Sequence, residues 1–405
     1  MTKIPELLAP AGNMDKLMTA VRFGADAVYA AADRYGLRAF ADNFTTEALG
    51  EAARLLHALG KKLYVTVNIY ADERDIAGLP AFAEELAATG ADGVLVSDLG
   101  VFSIMRRYAP GLPLHVSTQA NVTNSEAAKM WADLGASRIV LARETRLADI
   151  PAIKAASGAE IEAFVHGAMC IAYSGRCLLS GYFTGRSGNR GECVQSCRWE
   201  YGLTELSRGE TLPAEEDGRG TYILSSRDLC MIAHLRELAD AGVDSVKIEG
   251  RMKSEYYVAG IVNAYRRALD DMAAGRPFDE RLIEETEKVS HRGYTTGFYF
   301  DEKGGATGEP RPRATYDFVA VAAEDCENGT LVVEMRNRFE KGDTLEILSP
   351  TGISGMTFEV TDMTGEDGRD ITVADRVCEK VRLRCGLPVG KYDILRRKRR
   401  DRAVW

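Results

Sequence analysis

LPAFAEELAATGADGVLVSD, Leu79 to Asp98, holds the unit from which most of this chain is built. An alanine- and leucine-rich amphipathic run comes first, then Gly90-Ala91-Asp92, then a short apolar strand. Glycine is favoured just past a helix end because it takes the left-handed conformation at little cost, so the phrase marks a helix-to-strand turn. It recurs as Gly24-Ala25-Asp26 before AVYAA, Gly135-Ala136-Ser137 before RIVLA and Gly242-Val243-Asp244 before SVKIEG. Further strands are readable at Glu6 to Ala9, Lys62 to Val67, Leu114 to Ser117 and Ile161 to Val165. Continuous apolar strands separated by helical segments belong to parallel sheets covered by helices. Eight such units over about 250 residues predict an α/β fold, a (β/α)8 TIM-like barrel within residues 1–310, with a doubly wound open sheet as the alternative.

Composition bounds the class of protein. At 405 residues, 45% hydrophobic and 27% charged, the chain is an ordinary globular protein with room for a main core and a smaller domain. MTKIPELLAPAGN lacks the basic start and apolar run of a signal peptide, and no run of roughly 18 apolar residues is present to span a membrane. A cytoplasmic protein with no membrane partner is expected. The net charge of -9 argues against non-specific coating of nucleic acid, which needs Lys and Arg on phosphates.

Between the seventh and eighth strands lies a long insertion, residues 168–221, which in a barrel falls over the C-terminal face where active sites are built. It contains Cys170, Cys177, Cys193 and Cys197, half of the eight cysteines. In a reducing compartment such clustering points to metal or catalysis rather than disulfides. Six residues separate the first pair and three the second, unlike the CxxC knuckles of zinc ribbons, and the CxxxCxxC run of radical-SAM enzymes is absent. Spacing leaves a [4Fe-4S] cluster, zinc, and inert or redox thiols open. Cys230, at the start of an apolar helical run, reads as a packing residue, and Cys326, Cys378 and Cys385 as structural thiols.

The proposed strands end in polar residues: Asn68, Asp98, Ser117, Thr118, Gln119, Arg143, Glu144, His166, Lys247, Glu249 and Arg251. In a barrel these converge on one mouth, where acid, base and anion-binding groups surround a small substrate. The plain counter-reading is that strand ends are where water begins. Arg143 and Arg251, with Lys247, suit carboxylate recognition. His166, Glu249 and Gln119 suit proton transfer or orientation. Neither HExxH nor GxSxG is present, so a metalloprotease or α/β-hydrolase is unsupported. A nucleophile-base pair of Cys170 with His166 or His115 is a matter for three-dimensional geometry.

From about Phe318 the helical period gives way to short alternating segments such as TLVVEMRNRF and DTLEILSPTG, predicting a small antiparallel β-barrel domain over residues 315–395. Gly304 to Pro312 reads as the linker. Residues 396–405 form a basic tail, either solvated or gripping an RNA backbone, with Arg186 and Arg190 of the insertion as further RNA contacts.

EAFVHGAMCIAYSGRCLLS, Glu162 to Ser180, resembles the signature of the collagenase-like peptidase family of unassigned catalytic type. The resemblance extends to LLAPAGN, GADAVYAA, HVSTQAN, GECVQSCRWEY and SVKIEGRMKS, and to the C-terminal domain. Within that family the chain is most similar to the branch of prephenate-dependent tRNA uridine hydroxylation proteins. The resemblance implies a barrel enzyme with a [4Fe-4S] cluster on Cys170, Cys177, Cys193 and Cys197, forming 5-hydroxyuridine at the wobble position of tRNA with prephenate as hydroxyl source. A collagenase-like peptidase is the alternative. The roles given to strand-end residues rest on position alone, and the sequence names no electron donor.

Overall fold

The computed structural model describes residues 3–37, 43–199, 226–300, 312–352 and 354–399, with the backbone of four short strands between residues 204 and 222. Seven strands alternate with helices from the start: β1 (Glu6–Pro10), β2 (Ala27–Ala31), β3 (Lys62–Val67), β4 (Gly93–Val96), β5 (Leu114–Val116), β6 (Arg138–Val140) and β7 (Glu160–Ala168). The helices between them are α1 (Met14–Arg22), α2 (Thr46–Ala58), α3 (Glu73–Ile76), α4 (Leu79–Ala88), α5 (Leu99–Tyr108), α6 (Ser125–Asp133) and α7 (Ile150–Ser157). The insertion contains α8 (Leu179–Thr184) and the short strands β8 (Thr204–Glu205), β9 (Glu210–Thr211), β10 (Glu215–Asp217) and β11 (Gly220–Tyr222). Then follow β12 (Asp228–Cys230), α9 (Leu235–Asp240), β13 (Ser245–Ile248), α10 (Glu255–Ala273), α11 (Arg281–Glu287) and β14 (Tyr294–Thr295).

Strand β13 pairs in parallel with β1 on one side and with β7 on the other, so the sheet closes into an eight-stranded barrel and the open-sheet alternative falls. The repeated phrase works as expected, since Gly24, Gly90, Gly135 and Gly242 all have φ between 82° and 103°. Its aspartates add something periodicity does not reveal. Asp26, Asp92 and Asp244 each accept from the backbone N–H of a neighbouring strand's start, Leu7, Leu63 and Ile161, at 2.8–3.0 Å. These bonds fix where adjacent strands begin and so help set barrel register.

The barrel interior is ionic toward the strand starts. Arg138 bonds Glu6 at 2.8 Å and Glu162 at 3.1 Å, Tyr64 donates to Glu6 at 2.9 Å, and Lys247 donates to Glu162 at 2.7 Å. Two further strands extend β7 outside the ring: β12 runs antiparallel to it and β14 parallel to β12. Cys230 therefore sits on a strand rather than a helix; it packs against the main core, and burial pushes its thiol up to about 11.

The C-terminal domain comprises β15 (Tyr316–Ala322), β16 (Thr330–Met335), β17 (Phe339–Glu340), β18 (Thr344–Leu348), β19 (Thr357–Glu359), β20 (Met363–Thr364), β21 (Val373–Ala374), β22 (Lys380–Arg384) and β23 (Ile394–Lys398). Seven of these form one antiparallel sheet around its own core of Val319, Leu331, Val333, Leu345, Val381, Leu383 and Leu395. The sheet is open, ending in β19 and β20, so the expected barrel is a half-barrel. The expected basic tail needs correcting too. Arg396, Arg397 and Lys398 lie in β23, paired to β15 and β18, with Arg396 fully buried against Glu285 and Glu346 and Arg397 paired with Asp343. Most of the expected linker, through residue 311, and the chain from residue 400 lie outside the described residues. Among the described residues no helix is long and apolar enough to cross a membrane.

Candidate active site

Beyond the strand ends, inward-facing side chains and the cysteine segment line a cavity that opens to solvent. Its floor is Tyr29, Thr66, Phe164 and Lys247. Asn68, Ser117, Thr118, Gln119, Arg143, Glu249 and Arg251 ring the walls, as expected from their strand-end positions. Lys247 at the end of β13, and Glu249 and Arg251 just beyond it, all reach the cavity. Gln119 is fixed by Ser97 and Ser117, whose hydroxyls both donate to its Oε1. Arg143 lies 4.0 Å over the Phe164 ring and reaches Glu249 at 3.4 Å, while Arg251 donates to Thr66 Oγ1 at 3.1 Å.

The cysteine segment closes the cavity from above. Cys170, Cys177, Cys193 and Cys197 all line it, and all eight cysteines are free thiols. Arg190 latches the segment to the barrel through Asp75 of α3, with contacts of 2.8 and 2.9 Å. Ser180 accepts from Val194 N–H at 3.2 Å and donates to the Arg186 carbonyl at 2.8 Å, tying the first cysteine pair to the second. Gln195, in the left-handed region at φ 57°, points its N–H at Cys193 Sγ, 3.4 Å away.

Burial pushes the Cys197 thiol up, Arg198 opposes it, and Cys170, Cys193 and Cys177 add to it, which places the four sulfurs within electrostatic reach of one another. Among the described residues no three His, Cys, Asp or Glu side chains stand close enough to share one ion. A zinc ion draws its sulfurs to about 2.3 Å from one centre. In a [4Fe-4S] cluster each thiolate binds its own iron, so the sulfurs stand around a larger body, and N–H bonds to sulfur such as that of Gln195 tune it. Four free thiols on one cavity are a donor set that suits either a [4Fe-4S] cluster or a zinc ion.

Other strand-end residues have structural employment. Asp98 caps α5, accepting from Gly100 and Val101 N–H at 2.8 and 3.0 Å. Lys247 is committed to Glu162, both essentially buried, so it is a poor free cation for a substrate. His166 is not in the cavity at all. Glu162 and Phe164 face inward and alternation would turn His166 inward with them. Instead the β7–β13 register shifts between Lys247 and Ile248, a bulge that places His166 opposite Ile248 and turns it outward. Its Nδ1 meets Tyr265 Oη at 3.3 Å, and Tyr257, Tyr265 and Tyr294 surround the ring. His115 lies deeper in the barrel, edge-on to Tyr64. No histidine among the described residues lines the thiol cavity, so neither Cys170 pairing arises. Sequence reading missed Thr66, Phe164 and Glu162; the acid inside the apolar strand EIEAFV was the available signal for the last.

Residues 12–308 match peptidase family U32 and residues 314–396 match the peptidase family U32 C-terminal domain. The chain is 39% identical over 406 residues to "tRNA hydroxylation protein P1" of Bacillus subtilis, covering 98% of this chain and 96% of that one. It is 38% identical to "tRNA hydroxylation protein P" of Escherichia coli, covering 88% of each. Against the Escherichia coli "23S rRNA 5-hydroxycytidine C2501 synthase" it is 36% identical over 376 residues, 89% of this chain and 55% of that protein. Matched through both its barrel and its C-terminal half-barrel, the chain belongs to peptidase family U32.

Proposed function

We propose that this protein is a tRNA-modifying enzyme forming 5-hydroxyuridine at the wobble position, with prephenate as hydroxyl source and a [4Fe-4S] cluster on Cys170, Cys177, Cys193 and Cys197. The observation that carries this reading is one cavity shared by four free thiols and a ring of amide, hydroxyl and guanidinium groups. Relatives named for tRNA hydroxylation along nearly the whole chain support an RNA hydroxylase. A bound cluster supplies a redox centre beside the substrates.

The chain's own residues prepare the rest. A uracil edge presents alternating acceptors and a donor, which the cavity-lining amides of Asn68 and Gln119 would read. Glu249 would take the proton released from C5, with Arg143 3.4 Å away to hold it. The net change at the base, C5–H to C5–OH, is a two-electron oxidation, so the hydroxyl donor accepts two electrons. Outside the mouth, Tyr182, Phe183 and Trp199 are exposed with rings 5.2 and 6.1 Å apart, a surface on which unstacked bases of an RNA loop can lie.

Anaerobic purification tests the cofactor: broad visible absorbance, bleached by dithionite and lost on Cys193→Ser with Cys197→Ser, is expected. A colourless protein holding one tight zinc ion sinks it. Nucleoside analysis of tRNA from a strain lacking this gene and its paralogues tests the product, and unchanged 5-hydroxyuridine removes the function. The collagenase-like peptidase alternative rests on the family name, with no Cys–His pair at the cavity to support it.

A further inference from the structure

A second cavity shares Cys170, Cys193 and Cys197 with the barrel mouth but is walled by β12, the turn after β13 and Arg292 instead of the barrel interior. Its charge is unbalanced. Asp228 is taken by Arg292, at 2.5 Å to the guanidinium and 3.2 Å from the backbone N–H. Glu249, also on the wall, is engaged by Arg143. Arg198 and Lys253 make no ion pair with any described residue: Arg198 donates to the Gln195 side chain, and Lys253 donates to the Ser290 carbonyl at 3.0 Å and lies 5.0 Å over the Tyr257 ring. The Nε atoms of Arg198 and of Arg292, itself 3% exposed, are buried with no hydrogen-bond partner. Among the described residues only Asp228 and Glu249 face these cations, each already engaged by an arginine, and half-buried cations short of counter-charge are costly unless an anion completes them. In the barrel mouth Lys247 holds Glu162, Arg143, which reaches both cavities, holds Glu249, and Arg251 is hydrogen-bonded to Thr66.

We propose that this lateral cavity binds a small carboxylate anion on Arg198 and Lys253, beside the Arg292–Asp228 pair, leaving the barrel mouth to the base, so that the two meet at Cys170, Cys193 and Cys197. The guanidinium fork of Arg198 suits a carboxylate, and its recessed position suits a small molecule better than a backbone phosphate, which is gripped by exposed side chains. Identifying the anion as the hydroxyl donor rests on the proposed RNA hydroxylation; the site itself does not.

Calorimetric titration of the holoprotein with prephenate, beside filter binding of tRNA, tests this. Arg198→Gln and Lys253→Met should each weaken prephenate binding about tenfold, with Lys253→Arg restoring most of it. The Kd for tRNA and the visible spectrum should stay unchanged. The site is overturned if the wild type binds no prephenate, or if Arg251→Gln weakens prephenate binding while the lateral variants do not. It is equally overturned if those variants weaken tRNA binding instead, or shift the cluster's spectrum or potential with prephenate affinity intact. Prephenate bound through these residues without 5-hydroxyuridine formation sinks the proposed function and leaves the site standing; hydroxylation with unaltered prephenate affinity in the variants does the reverse.

Discussion

His166 is held neutral by its surroundings: burial brings its pKa from the ordinary 6.5 to about 3, with Asp228 opposing only in part. A base whose folded pKa lies below its unfolded value leaves stability untouched above the unfolded value. Stability then falls as pH drops from about 6.5 toward 3, by at most about 1.4 kcal/mol per unit. His166→Phe, which fits the tyrosine cage, should therefore flatten the loss of urea-unfolding stability between pH 7 and pH 4.5. A variant as acid-sensitive as wild type would contradict this. Glu162 carries the opposite risk. Replacing it by Gln leaves Lys247 and Arg138 short of a buried counter-charge and should lower stability by about 3–5 kcal/mol, measured by the same unfolding at pH 7.5. Roles such as these were invisible in sequence, because a residue's partner across a barrel lies far away along the chain.

At the scale of elements, the cysteine segment hangs on few contacts. Arg190 to Asp75 is its main charged tie, partly exposed, worth about 1 kcal/mol at most. Arg190→Ala should barely move the melting temperature yet speed proteolysis between Cys170 and Trp199 and reduce iron retained per chain. Unchanged cleavage and iron content would show that the latch does not hold the segment. Here the insertion's location was legible from the break in the strand-helix rhythm. The outward turn of His166 was not, since one extra residue in β7 reverses the alternation on which the inward assignment rested.

For the whole molecule, the half-barrel is joined to the barrel through charge and aromatic contact. Arg396 bridges Glu285 of α11 and Glu346 of β18, Arg22 of α1 meets Asp393 at 2.8 Å, and Tyr256 stacks on Phe318. Arg396→Met should leave Glu285 and Glu346 to share Lys288 alone, cost about 3 kcal/mol and split calorimetric unfolding into two transitions. A single, unshifted transition would mean the two cores are coupled by something else.

The chain's own order of residues determined the strand-helix alternation, the helix-ending glycines and the cluster of cysteines, because capping, periodicity and thiol density are local properties. It also determined which residues would stand at strand ends. Only the tertiary structure decided which of those face the cavity, which are spent on ion pairs, and that Arg396 belongs to a buried strand rather than a free tail. Barrel closure, a single bulge and strand pairings across long separations set these outcomes, and no local pattern encodes them.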